Sequence, residues 1–160
     1  MSSRTVILCE DKYGEPFLRE LTNRLKTEGK ISPALGLDML KFYGACNSKL
    51  EKQLRIKASE DTRHLIILVD SDGHDKVSLV ARVRQHVPDD LAGITYIIVF
   101  DYEIEDWLCS GLGIAINGRT AQIMKKQFGY EKYQLPSYVP RLDFEKLMKC
   151  ESFRNFVGSL

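Results

Sequence analysis

Three runs of β-branched and apolar residues are each followed at once by carboxylates. Glu10 follows Thr5–Cys9 (TVILC), Asp70 and Asp72 follow His64–Val69 (HLIILV), and Asp101, Glu103 and Glu105 follow Ile94–Phe100 (ITYIIVF). Oxygen ligands of this kind suit hard divalent cations such as Mg²⁺, which usually keep several waters. Side chains at i and i+2 share a face of extended backbone, so Asp70 and Asp72 can converge on one ion if the chain stays extended there. Gly73 then lets the backbone turn away without placing a side chain in the site. The same D-x-D-G string is also a common acidic turn, and the motif alone does not separate the two readings. Glu10 sharpens the first reading, because a carboxylate behind the first strand can complete a ligand set or move a proton. Asp11 beside it reads as a surface-loop acid.

The third cluster, Tyr102-Glu103-Ile104-Glu105-Asp106-Trp107-Leu108, has a good structural explanation. Acids at a helix start complement the macrodipole, at roughly 0.3–1 kcal/mol each, and Trp107 serves as a core anchor. If 101–105 is extended, Glu103 and Glu105 share a face; if a helix begins at 103, Glu103 faces Asp106 instead.

The elements that must position these acids alternate. Strand Thr5–Cys9 leads through 10–14 into a helix over Glu15–Glu28, with Phe17, Leu21 and Leu25 on one face, Pro16 in the first turn and Gly29 as the stop. Ile31–Tyr43 is ambiguous, an irregular strand and turn. Asn47–Ala58 has helical spacing, as does Lys76–His86, which Pro88 ends. A helical pattern runs from about Glu103 to Leu112 and another over Ala121–Phe128. Gly129–Arg141 is a polar loop bearing Tyr and Pro, and Phe144–Met148 and Phe153–Leu160 are short and amphipathic. This order predicts an α/β fold with a mainly parallel, Rossmann-like sheet and helices on both faces. In such sheets functional groups gather at the carboxyl ends of the strands, where all three acidic groups lie.

Composition narrows the class. The 160 residues are 44% hydrophobic and 28% charged, as expected of one soluble domain. No apolar run approaches the ~20 residues that span a bilayer, and Met1-Ser2-Ser3-Arg4 has no signal-peptide layout, so we expect a cytoplasmic protein without membrane contact. Cys9, Cys46, Cys109 and Cys150 form no CxxC pair and are expected as reduced core thiols; His64, His74 and His86 lack ligand spacing, which argues against zinc. A net charge of +1 leaves nucleic-acid contact to a local basic face. Arg119, Lys125 and Lys126 could form it, or could be a solvated helix face. Tyr130, Tyr133 and Tyr138 with Lys132 and Arg141 could stack single-stranded nucleic acid, or pack the loop on the core. A haloacid-dehalogenase phosphatase would carry its D-x-D on an early strand with Thr or Val two residues beyond, and an EF-hand would need its glycine at the sixth loop position. Neither fits.

Several segments together resemble the Toprim pattern of topoisomerase–primase domains. They are Glu10 with Phe17-Leu18 (E-x6-F-L-x2-L) and L-V-D-S-D-G at 68–73. More narrowly, the chain resembles the small Toprim-like domains of the DUF4276 type, related to the nuclease part of OLD-family proteins. This rests on Gly44-x3-Ser48-Lys49-Leu50, Y-E-I-E-D-W-L at 102–108 and S-F-R-N-F-V-x-x-L at 152–160. The resemblance spans nearly the whole length. It implies a single Toprim-like domain over 1–160, with about 113–160 as a helical and loop extension. It also implies Asp70 and Asp72 as Mg²⁺ (or Mn²⁺) ligands, Glu10 as ligand or general acid/base, and Glu103 or Glu105 as a further acid. The implied activity is Mg²⁺-dependent phosphodiester cleavage of nucleic acid; the alternative is a non-catalytic metal- or nucleotide-binding partner of a separate ATPase, since the chain has no P-loop. One departure stands out. The family's first motif is commonly E-G-x-x-E, and here Asp11 replaces the glycine that lets backbone approach phosphate.

Overall fold

Four apolar runs pair side by side, all parallel, in the order β2-β1-β3-β4: β1 Arg4–Cys9, β2 Gly36–Lys41, β3 Thr62–Asp70 and β4 Thr95–Phe100. The computed structural model describes residues 3–42 and 44–160. Parallel neighbours need crossovers. These are α1 (Gly14–Thr27) between β1 and β2, α2 (Lys49–Lys57) between β2 and β3, and α3 (Lys76–Arg84) with a 3₁₀ turn at Asp89–Ile94 between β3 and β4. After β4 come α4 (Asp106–Leu112), α5 (Thr120–Phe128), a 3₁₀ segment at Lys132–Arg141, α6 (Phe144–Leu147) and α7 (Glu151–Ser159).

Strand alternation sorts the helices into two layers. Val6, Leu8, Leu65, Ile67 and Val69 face Leu50 and Leu54 of α2 and Leu79 and Val83 of α3. Ile7, Cys9, Ile66, Leu68, Ile98 and Phe100 face α1, α4 and the rest of the C-terminal third. Trp107 centres this second layer. It is fully buried, touches Phe100, Phe153 and Phe156 with ring centroids 5.0, 5.2 and 5.0 Å away, and donates its Nε1–H to Ser152 Oγ at 2.9 Å. The expected α/β class, with a parallel sheet covered on both faces, is what forms.

The segment after residue 113 packs into the same core. Leu135, Tyr138, Val139, Leu142, Phe144, Leu147, Phe153 and Phe156 are all buried with the strands. Arg24 of α1 fastens it, donating to the carbonyl oxygens of Val139 (2.7 Å) and Leu142 and lying 4.1 Å over the Phe144 ring.

Some local expectations change. The ambiguous Ile31–Tyr43 stretch yields β2, whose register with β1 pairs Val6 with Asp38 and Cys9 with Lys41, while Tyr43 lies outside the described residues. The polar loop expected at Gly129–Arg141 is largely 3₁₀ helix, because Leu135, Tyr138 and Val139 recur at 3- to 4-residue spacing and are buried. The acidic helix starts at Asp106 rather than 103. Of the four free thiols, Cys9 and Cys109 are buried as expected, but Cys150 is half-buried and Cys46 is exposed.

Candidate functional site

The strand order reverses between β1 and β3, since β2 lies beyond β1 and β4 beyond β3. The crevice at the carboxyl ends of such a pair is where open α/β sheets take ligands. Glu10 leaves β1 there, and Asp70 ends β3 opposite Phe100 of β4.

The loop after Asp70 is stitched to the exit of β4. Asp72 N–H donates to Tyr102 O at 3.1 Å, Gly73 N–H donates to Asp101 O at 3.0 Å, and Ser71 Oγ donates to Asp101 O. Asp72 takes φ 52° and Gly73 φ 81°. The extended D-x-D that would align the two acids is therefore not present; Asp72 stands in the left-handed region, which Asp tolerates better than most residues. A Cβ at Gly73 would lie 2.9 Å from Tyr102 Cε1, so glycine is required for both its dihedral and its close approach. The turn leaves the Asp72 carboxylate exposed, 3.7 Å from the Arg119 guanidinium.

Asp70 is the most perturbed acid. Burial drives its pKa up to about 8, with the charges of Glu10, Asp72 and Glu105 adding to the rise and Lys132 opposing it. Glu10 is also raised, by burial first and by Asp72, against a lowering contact from the Asp70 backbone. Acids from three strand exits therefore act on one another. Among the described residues no hydrogen bond or ion pair reaches the Asp70 carboxyl group.

A second group adjoins it. Asp11, expected as a surface acid, points inward with its side chain only 10% exposed. Its Oδ1 accepts from Tyr13 N–H at 2.7 Å, which fixes the loop into α1. Lys132 Nζ lies 2.9 Å from Asp11 Oδ2 and 3.3 Å from Glu105 Oε1. Tyr130 Oη donates to the same Glu105 oxygen at 3.0 Å. Glu105 is fully buried, and its Oε2 has no partner. Burial raises the Glu105 pKa against the pull of Lys132, and burial with Glu105 raises that of Tyr130. Burial works against the Lys132 charge, but Glu105 and Asp11 outweigh it and push its pKa up.

The remaining candidates separate. Glu103 Oε2 accepts from Ala121 N–H at 2.9 Å and so holds the start of α5. Asp106 accepts from Tyr102 N–H (2.9 Å), Glu103 N–H (3.3 Å) and Thr120 Oγ1 (2.7 Å). Arg119 reaches Asp72, whereas Lys125 turns to Glu131 at 3.5 Å, and both Lys125 and Lys126 are exposed on α5. Cys9 is core, as its place on the strand predicts, and burial lifts its thiol to about 12. Tyr130 and Tyr138 pack inside, leaving Tyr133 as the exposed tyrosine of the three. His74 lines a small cleft with Gly73, Lys76, Asp101 and Tyr102. That cleft adjoins a larger one, about 600 Å³, whose lining includes Asp101, Lys146, Lys149 and Arg154.

Asp11, Tyr130 and Lys132 carry other readings in the sequence, Asp11 as a surface-loop acid and Tyr130 with Lys132 as a stacking surface or as loop packing, and none of these joins them to Glu105. Charge alone says nothing about which way a loop side chain points. Lys132 is joined to Asp11 across 121 residues, a link that only the fold reveals.

Among the described residues no three His, Cys, Asp or Glu side chains are gathered closely enough to cage an ion by themselves. Mg²⁺ does not need such a cage, since one or two carboxylates and waters commonly suffice. An unpartnered buried Glu105 oxygen and an Asp70 without a hydrogen-bond donor are donor groups of the right hardness, and in that respect the residues fit a divalent ion.

No family model matches the chain, and no curated protein matches it. Among solved structures, the C-terminal region of the Burkholderia pseudomallei OLD protein is similar at 15% identity, covering 99% of this chain and 88% of that one, with a TM-score of 0.47. No helix among the described residues is long and apolar enough to cross a membrane.

Proposed function

We propose that this chain is a Mg²⁺-dependent phosphodiester-cleaving domain of the Toprim type that acts on nucleic acid, with Asp70, Asp72 and Glu10 as its metal-holding acids. One observation carries the reading: acids from the exits of β1, β3 and β4 act on one half-buried carboxyl, Asp70, at the point where the strand order reverses. A hard divalent ion held there supplies charge neutralisation at the scissile phosphate and an activated water.

The protein's own groups take the other roles. Glu10, whose proton is held more tightly than that of an ordinary glutamate, is suited to take or return a proton. Arg119, beside Asp72, offers a guanidinium to a phosphate oxygen. Lys146, Lys149 and Arg154 in the adjoining cleft, and more remotely Lys125 and Lys126, are the cations available to the flanking backbone. Burial keeps Asp70 protonated around neutrality unless a cation neutralises the site, so cleavage and metal binding should both rise with pH through about 8.

The test is Mg²⁺-dependent nicking of plasmid and single-stranded substrates. Asp70→Asn is expected to abolish it while the circular-dichroism spectrum stays native. Wild-type protein that cleaves nothing with Mg²⁺ or Mn²⁺ would end the catalytic reading. If such protein still bound Mn²⁺ through these acids, it would instead be a metal- or nucleotide-binding partner of a separate ATPase.

A further inference from the structure

Glu105 is fully buried, with one oxygen shared between Lys132 and Tyr130 and the other unpartnered. Asp11 Oδ2 contacts the same ammonium at 2.9 Å. Two carboxylates from different elements, Asp11 behind β1 and Glu105 before α4, therefore converge on one positive charge delivered from the 3₁₀ segment at Lys132–Arg141. Two hard oxygen donors converging on one cation are the kind of ligands a divalent ion takes, at the shorter distance of about 2.0–2.6 Å. Catalytic centres with two divalent ions hold them about 3.5–4 Å apart, on either side of the reacting phosphate. Here a positive charge that acts on Asp70 is already present, covalently attached to the chain as Lys132.

We propose that the Lys132 ammonium fills a second cation position, so that the centre takes one divalent ion where its acids could otherwise hold two. The inference rests on the reading of Glu10, Asp70 and Asp72 as metal-holding acids. It assigns Asp11 and Glu105 a role as the cradle of a fixed cation, and Lys132 a positioning role. An ammonium satisfies two oxygens by hydrogen bonding but cannot polarise a bound water as a metal does. The substitution thus keeps the charge balance of the site while confining metal chemistry to the Glu10–Asp70–Asp72 side. It also accounts for Asp11 at the place where the resembling pattern has glycine: the carboxylate holds the lysine.

The experiment is calorimetric titration of Mn²⁺ into the full chain. Wild type is expected to bind one ion, Lys132→Met two, and Lys132→Met/Glu105→Gln one again. A count of two in wild type, or of one in both wild type and Lys132→Met, overturns the inference and leaves the metal reading standing. No ion in wild type but one in Lys132→Met removes the reading at Glu10, Asp70 and Asp72 and keeps Lys132 as a cation surrogate. No ion in either overturns both. Electron paramagnetic resonance of Mn²⁺-loaded wild type needs no variant to fold: a mononuclear six-line signal is expected, and an exchange-coupled multiline signal from a pair of ions would sink the proposal.

Discussion

β3 and β4 lie side by side, and each is followed by a short acidic segment, yet the two segments use their carboxylates in opposite ways. Behind β4, Asp101 pairs with Lys76 at 2.6 Å, Glu103 holds Ala121 N–H, and Asp106 accepts three hydrogen bonds. Those acids hold the local structure together, and of the acids behind β4 Glu105 alone keeps an unpartnered buried oxygen. Behind β3, Asp70 is largely desolvated without a donor, and Asp72 meets only a guanidinium at 3.7 Å. The segment denser in acids is thus the more structural one. A desolvated carboxylate without a donor points to a ligand site more strongly than a count of acids does.

Variants can break or sharpen this contrast. The largest effect is expected at Asp106→Ala, which strips the acceptor from two backbone N–H groups and the Thr120 hydroxyl in a buried setting. Urea denaturation should show a loss of about 2–4 kcal/mol. A loss under about 1 kcal/mol would mean that the β4 segment is not held by its own acids.

Asp70→Asn should move the other way in metal-free protein. A carboxyl whose folded pKa is about 8 binds its proton more tightly folded than unfolded, so its ionisation costs stability. The cost is absent below about pH 4, where both states are protonated, and complete above about pH 8. Wild type should therefore weaken as pH rises through that window. Asn should recover ~1–3 kcal/mol at pH 8 and nothing near pH 4, as read from denaturation midpoints at the two values. A variant less stable than wild type at pH 8 would show that Asp70 is not under strain.

Glu103→Gln is a smaller change. The amide oxygen can still accept from Ala121 N–H, but the charge at the start of α5 is gone. We expect about 0.3–1 kcal/mol of lost stability, and no change in Mn²⁺ affinity. A large affinity loss would move Glu103 from the structural acids to the ligands. Smallest of all, Arg119→Ala should alter stability by less than about 0.5 kcal/mol, because its pair with Asp72 is more than half exposed on both sides. Its signature lies in nucleic-acid affinity, where the slope of log K against log salt should fall by about one.

Most of the scaffold was legible because its signals are local. TVILC and HLIILV are largely buried apolar runs and ITYIIVF an edge strand buried at Thr95, Ile98 and Phe100, and the carboxylates behind all three fall where parallel sheets expose functional groups. β2 was harder to see: as an edge strand it is half-exposed for most of its length, so Gly36–Lys41 carries no clean apolar run. Asp72 gives no sign of its left-handed backbone, so the motif left an extended D-x-D and an acidic turn unseparated, and the turn is what forms. Whether Glu103 sides with Glu105 or with Asp106 turned on where α4 begins, and that was decided by Asp106 capping the loop in front of it. Lys132 and Asp11 were invisible as partners because their tie is a property of the closed fold.

The Asp11–Lys132 bridge also bears on how the molecule is made. It joins residues 121 apart, and Arg24 clamps the same late segment through Val139 and Leu142. Chains emerge amino end first, and contacts of high sequence separation form late. The strands and the acids at their ends are therefore synthesised well before the ammonium that balances two of them exists. Until Lys132 arrives, Glu105 has no basic residue to compensate it, and the cheapest state for the half-built site is an open, hydrated one. Docking of the 3₁₀ segment at Lys132–Arg141 is then the step that brings Glu105 its balancing charge.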